Sequence, residues 1–176
     1  FGTAGLRGPM GAGPARMNAA VVRQTTLGLA CWLESQLPDA RASGVVVGFD
    51  GRHRSRELAG EVTAVLLARG FRVYAWDVMT PTPTTPWLLR ARGACAGVQV
   101  TASHNPPADN GYKVYWDHGA QIIPPHDAGI ARAIEEAARG PASAIPTLEP
   151  SEAGGRFCAV GEAELGGAVA PGPDEL

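Results

Sequence analysis

The stretch Ala94-Cys95-Ala96-Gly97-Val98-Gln99-Val100-Thr101-Ala102-Ser103-His104-Asn105-Pro106-Pro107-Ala108-Asp109-Asn110-Gly111-Tyr112-Lys113 decides the fold. Val98 and Val100 close a short apolar run that reads as a buried strand. Behind it, Thr101 to Lys113 gathers a hydroxyl, an imidazole, amides, a carboxylate and an amine into one loop, denser in chemistry than any other part of the chain. Pro106 and Pro107 remove two backbone donors and exclude helix, which stiffens the loop. Asn110-Gly111 is a turn signal that predicts a reversal into Tyr112-Lys113-Val114-Tyr115-Trp116, an antiparallel edge strand with one wet face.

The segments upstream supply the rest of a sheet. Asn18 caps a helix predicted to run to about Leu37, where Pro38 stops it; Val22, Leu29, Leu33 and Leu37 recur at helical spacing and face a core. Val45-Val46-Val47 reads as a buried strand ending near Asp50. Ser55 is the expected N-cap of a helix through about Arg69, with Leu58, Val62, Val65 and Leu66 on one face and Gly70 as its stop. Phe71 to Trp76 reads as another strand, and the Pro-rich run from Pro81 to Pro86 opens a shorter helix ending before Gly93. A last helix, from about His126 to Ala138, turns Ile130 and Ile134 inward. Alternating strands and helices predict right-handed crossovers and a sheet covered on both faces. The expected fold is therefore a three-layer α/β/α domain with a mostly parallel, mixed sheet and an antiparallel edge strand. Ligands meet such sheets at the carboxyl ends of the strands, where Asp50, Asp77 and the Ser103 loop fall.

This domain is expected over residues 1–140. Beyond it the composition shifts to Pro, Ala, Gly, Ser and Glu, with one apolar patch, Phe157-Cys158-Ala159-Val160. Residues 141–176 accordingly read as a linker or the start of a second domain. A length of 176 residues, 45% hydrophobic and 18% charged, suits one ordinary globular domain with a real core. The net charge of -2 offers no basic field for nucleic acid, and no apolar run approaches membrane-spanning length. Cys31, Cys95 and Cys158 are odd in number and lack metal spacing, which favours reduced thiols and a cytoplasmic protein. Of the 15 cationic residues only Lys113 is a lysine, and it falls inside the motif loop. A compact ammonium suits a point contact to phosphate, or a proton transfer, better than a planar fork does.

Three ordered segments carry a family resemblance: Phe1-Gly2-Thr3-Ala4-Gly5-Leu6-Arg7-Gly8; Val47-Gly48-Phe49-Asp50-Gly51-Arg52 with Ser55 after it; and Thr101-Ala102-Ser103-His104-Asn105-Pro106 followed by Asp109-Asn110-Gly111-Tyr112-Lys113. Together they resemble the N-terminal phosphoserine domain of the α-D-phosphohexomutases, the superfamily of phosphoglucomutases and phosphomannomutases. The opening segment, and the run from Lys113 through Asp127, look most like the branch of phosphopentomutases and bacterial phospho-sugar mutases. Three collinear motifs are far more specific than one short pattern. Phe1 is no natural start, so residues upstream of it are expected to have been cut away.

The resemblance implies a division of labour. Ser103 would carry a phosphoryl group and offer its oxygen to Mg²⁺, with His104, Lys113 and Arg7 as the catalytic residues beside it. The full-length protein would then be an intramolecular phosphotransferase. It would interconvert a sugar 1-phosphate and 6-phosphate through a sugar bisphosphate. Phosphopentomutase and sugar bisphosphate synthase are the alternatives, and a free-standing, non-catalytic α/β binding domain is the alternative of another class. The family's acidic metal loop and sugar-reading loops belong to later domains and do not occur in this chain. The remaining Mg²⁺ ligands are therefore expected from other domains of the same polypeptide, and this chain alone is expected to be inactive.

The residues themselves leave room for other readings. A Ser103–His104 hydrolase dyad is disfavoured, because neighbours in extended chain point to opposite sides and the Gly-x-Ser-x-Gly elbow is missing. Asp50 and Arg52 read as a tie between the strand end and the next helix. Asp109 reads as a turn residue, with orientation of Lys113 as its other possible role. His53, His118 and His126 read as loop and turn histidines.

Overall fold

A computed structural model describes Gly2 and residues 5–166. Its strands and helices follow in the order β1 (Leu6–Pro9), α1 (Ala19–Gln36), α2 (Ala40–Ser43), β2 (Val45–Phe49), α3 (Ser55–Ala68), β3 (Val73–Trp76), α4 (Thr84–Arg92), β4 (Ala96–Val100), β5 (Asp109–Trp116), α5 (His126–Ala137), β6 (Phe157–Val160) and α6 (Ala163–Gly166). Three short 3-10 turns lie between α5 and β6. The six strands form one mixed sheet in the order β1-β5-β4-β2-β3-β6. β4, β2, β3 and β6 run parallel, whereas β5 is antiparallel to both β4 and β1.

Strand alternation sorts the side chains. Val45, Val47, Phe49, Val98, Val100, Tyr112, Val114 and Trp116 point to one face, where they form a single core with Val22, Leu29 and Leu33 of α1, Leu58, Val62 and Leu66 of α3, and Ile130 of α5. Val46, Tyr74, Trp76 and Tyr115 point to the other face and meet Leu88 and Leu89 of α4. Burying each aliphatic side chain of this kind contributes about 1.5–3 kcal/mol, which is why the two clusters hold three layers together. Asn18 begins α1 as expected: its Oδ1 accepts from the Val21 N–H at 3.0 Å, while its Nδ2 donates to the carbonyls of Gly11 and Gly13, both at 2.9 Å. One side chain thus caps the helix and folds the Gly-rich loop onto it. Gly5 permits another close approach, since a Cβ there would lie 2.0 Å from the Tyr112 carbonyl oxygen.

Four local expectations change. The residue before α3 is Arg54 in a left-handed conformation, φ 61°, so Ser55 is the first helical residue and not the cap. Its hydroxyl instead donates to Asp50 Oδ1 at 2.7 Å. Asn110 and Gly111 lie inside β5, and the chain reverses earlier, through a turn closed by the Asp109 N–H on the Pro106 carbonyl at 3.0 Å. β5 is not the edge and has no wet face. β1 pairs outside it, Leu6 opposite Tyr112 and Arg7 opposite Gly111, and every residue from Asn110 to Trp116 is buried.

The apolar patch Phe157-Cys158-Ala159-Val160 is the sixth strand, parallel to β3 at the far edge. The backbone leading to it is anchored on the domain by the Leu148 N–H to the Ala64 carbonyl at 3.0 Å. Within the segment read as a linker or the start of a second domain, Phe157–Val160 thus pair at the edge of this sheet, because edge pairing satisfies backbone groups that a composition reading does not see. Positions 167–176 of that expected segment lie outside the described residues.

Candidate active site

Ser103 sits just past the carboxyl end of β4, exposed, with φ 59°. Left-handed backbone is uncommon for a residue with a Cβ and persists only where the surroundings hold it. The hold is visible. The Ser103 N–H donates to Thr101 Oγ1 at 2.9 Å, and the Asn105 N–H donates to the Ala102 carbonyl at 3.1 Å. Asn105 Nδ2 bonds Asp109 Oδ2 at 2.9 Å, so Asp109 serves the turn.

Arg52 occupies the inside of the loop. Its Nη2 donates to the carbonyls of Ser103 at 2.6 Å and Asn105 at 2.8 Å, and its Nη1 to those of Pro106 at 2.9 Å and Asp109 at 3.1 Å. Behind it, Arg52 Nε stands 3.4 Å from Asp50 Oδ2, and the Arg52 N–H bonds Asp50 Oδ1 at 3.0 Å. Fully buried Asn110 fastens the same two loops a second time, through Nδ2 to Ser55 Oγ at 3.0 Å and to the His53 carbonyl at 3.1 Å. Asp50 and Arg52 thus tie more than a strand end to a helix, since they build the Ser103 loop. The sequence carries only half of the signal: a loop with two prolines leaves carbonyls that need donors, but it is the parallel β2–β4 register of the structure that sets the loop after β2 beside the loop after β4.

The expected opposition of Ser103 and His104 does not occur. Left-handed backbone at Ser103 brings the neighbouring side chains to the same side, and Oγ and Nδ1 stand 3.4 Å apart, a long and weak contact. Among the described residues no carboxylate contacts the His104 ring, so the third member of a hydrolase triad is not supplied.

Arg7 and Lys113 form the other half of the rim. Arg7 is exposed on β1 opposite Gly111, and Lys113, 8% exposed, lies two residues further along β5 on the same sheet face. Burial lowers the Lys113 ammonium below its usual range, the Arg7 guanidinium lowers it further, and the Asp50 carboxylate partly opposes both. Asp50 thereby connects the halves: it faces Lys113 electrostatically and pairs with Arg52, which holds Ser103. Asp77 stays apart from this set, at the β3 end, where its carbonyl accepts from Arg56 at 2.5 Å. His53 and His118 are exposed, but His126 is a packing residue, stacked on Trp116 with ring centres 3.8 Å apart and accepting from Trp32 Nε1 at 3.3 Å.

Residues 1–140 match the family model for phosphoglucomutase/phosphomannomutase, alpha/beta/alpha domain I. The chain belongs to this family.

Its family relatives include the phosphopentomutase of Mus musculus, 51% identical over 142 residues, and the glucose 1,6-bisphosphate synthase of the same organism, 47% identical. Each alignment covers 77% of this chain and 23% of the relative, so the chain spans about a quarter of the length of the curated relatives it matches. A phosphoglucomutase/phosphomannomutase family protein from Burkholderia thailandensis superposes with a TM-score of 0.68 at 26% identity, over 93% of this chain and 33% of that one. A solved structure from Thermus thermophilus gives 0.74 at 25%, over 94% and 33%.

The family is generally Mg²⁺ dependent. Among the described residues no three His, Cys, Asp or Glu side chains stand together as a metal site. Phe1, Thr3 and Ala4 of the opening motif lie outside the described residues. Of the described residues, no helix is long and apolar enough to cross a membrane.

Proposed function

We propose that Ser103 carries a phosphoryl group and that the full-length protein is a phosphosugar mutase. The observation carrying this reading is the exposed Ser103 hydroxyl, held in left-handed backbone by a loop whose carbonyls are clamped to a partly buried ion pair. Such a hydroxyl is presented at a fixed position, which is what phosphoryl transfer asks of a carrier. The P–O bond to Ser103 breaks as a bond forms from phosphorus to a sugar hydroxyl oxygen. The hydroxyl proton leaves to a base at the site, and the resulting bisphosphate returns its other phosphoryl to Ser103. Lys113 suits the base or a phosphate contact, because its lowered affinity for a proton brings ionisation closer to neutrality. Arg7 offers paired donors to phosphoryl oxygens, and His104 stands beside Oγ.

Mg²⁺, when bound, would neutralise charge on the transferring phosphoryl. Ser103 is the one ligand position this chain supplies in the reading, and the other ligands come from further domains of the same polypeptide. The likeness to phosphopentomutase makes a pentose 1-phosphate to 5-phosphate conversion the first assay, ahead of hexose 1- and 6-phosphates. The likeness to glucose 1,6-bisphosphate synthase makes bisphosphate synthesis the next. A cytoplasmic setting agrees with three cysteines that are all free.

Ser103→Ala in the full-length protein tests the proposal: turnover is lost while the circular dichroism spectrum and melting temperature stay those of the parent. A variant that turns over like the parent would overturn it. The 176-residue chain assayed alone with Mg²⁺, sugar phosphate and bisphosphate shows no turnover, because one wall of a cleft leaves the transferring phosphoryl exposed to water.

A further inference from the structure

The Arg52 clamp has a directional consequence. All four of its carbonyl partners point at one guanidinium, and the Ser103–His104 peptide is trans. In a trans peptide the C=O of one residue and the N–H of the next point in opposite directions. Turning the Ser103 carbonyl toward Arg52 therefore turns the His104 N–H away from it, toward the exposed side of the loop where the Ser103 and His104 side chains lie. The Asn105 and Pro106 carbonyls are followed by Pro106 and Pro107, which have no N–H to turn outward. The Asp109 carbonyl is followed by Asn110, already inside β5. Within the loop tip the clamp thus presents one amide, that of His104, and among the described residues it has no hydrogen-bond partner.

We propose that Arg52 is the positioning residue of Ser103: its guanidinium, by holding the loop carbonyls, fixes the left-handed Ser103 conformation and aims the His104 amide N–H as a donor to the phosphoryl on Ser103. The inference rests on the reading of Ser103 as phosphoryl carrier, and it adds a role for two groups, the Arg52 side chain and the His104 main chain. Charge alone is not the device. An ammonium in place of the guanidinium keeps the charge beside Asp50 but is a compact group that does not span four carbonyls.

The test uses full-length protein with Arg52→Ala and Arg52→Lys. Hydrogen exchange of the 102–109 amides, measured without substrate, rises about tenfold or more in both variants, while exchange in β2 and β4 stays that of the parent. With phosphorylated Ser103 and selective ¹⁵N-histidine labelling, the His104 amide proton moves downfield in the parent and stays put in both variants. Turnover falls about 100-fold or more in kcat with KM changed about threefold or less, and Arg52→Lys recovers little of it. If Arg52→Ala fails to fold, Arg52→Lys carries the same three readouts. Parent-like exchange and a parent-like His104 shift in the variants would overturn the inference, and so would full activity in Arg52→Lys. Loop exchange is read without catalysis, so an active Ser103→Ala protein would remove the carrier reading and leave the clamp to stand or fall on its own measurement.

Discussion

The two faces of the sheet are built from the same strands and serve different ends. On the face under α1, α3 and α5, β2 presents Val45, Val47 and Phe49, β4 presents Ala96, Val98 and Val100, and β5 presents Tyr112, Val114 and Trp116, all in one apolar core. On the face under α4 the intervening positions become small or polar toward the carboxyl rim: Gly48 on β2, Gln99 on β4, Gly111 and Lys113 on β5, and Arg7 on β1. A Cβ at Gly48 would lie 2.4 Å from both Gln99 Oε1 and Thr85 Oγ1, so the glycine makes room for a buried polar pair in which Thr85 donates to Gln99. Period-two alternation lets one strand set stabilise on one side and hold charge on the other. The α4 side has few apolar contacts near its rim, and there the titratable groups collect.

This contrast breaks first where the apolar face is thinned. Leu66→Ala, fully buried between α3 and the sheet, should cost about 2–5 kcal/mol in urea unfolding. A loss below about 1 kcal/mol would mean that the three-helix face is not the main source of stability. On the polar face, Gln99→Leu keeps most of the volume but leaves the Thr85 hydroxyl and the Thr80 carbonyl without the partner they have now. The expected cost is about 1–3 kcal/mol, and a neutral result would make that polar pair incidental.

Lys113→Met sharpens the comparison with the opposite sign. Burial and Arg7 lower the folded-state Lys113 ionisation below that of the unfolded chain, so at pH 7 holding the ammonium opposes folding. The variant should be as stable as the parent or more stable there. As pH rises from the lowered folded value toward the unfolded one, the parent releases its proton on folding and gains stability, so the gap should close. A variant less stable than the parent at pH 7, with a gap independent of pH, would contradict the burial argument.

The smallest effect is chemical. Burial pushes the Cys95 thiol up to about 12, and its Sγ donates to the Gly44 carbonyl at 3.1 Å, whereas Cys31 and Cys158 are exposed. Alkylation of native protein, mapped by mass, should mark Cys31 and Cys158 and spare Cys95.

The same division explains what was legible in the sequence. The apolar face repeats at 3.6 and at 2, so α1, α3, β2 and β4 stand close to where Val22, Leu29, Leu58, Val62, Val45-Val46-Val47 and Val98 place them. β1 was not legible, because Leu6-Arg7-Gly8-Pro9 has no strand pattern and becomes a strand only by pairing with β5. β6 was visible as an apolar patch but not as a strand, since its partner, β3, lies about 80 residues back in the chain. Ser103, Lys113 and Arg7 were found through their motifs. The clamp on Ser103 was missed, because it joins Arg52 to carbonyls some 50 residues further on, and carbonyls have no letter in a sequence.

The central claim is that the exposed, clamped Ser103 accepts a phosphoryl group. Full-length protein should be stripped of phosphate, incubated with a sugar bisphosphate and Mg²⁺, digested and mapped by mass spectrometry. One phosphoryl on the peptide containing Ser103, absent from that peptide in Ser103→Ala, is the expected result. Phosphoryl on another residue of the parent, with Ser103 unmodified while sugar phosphate turns over, would contradict it.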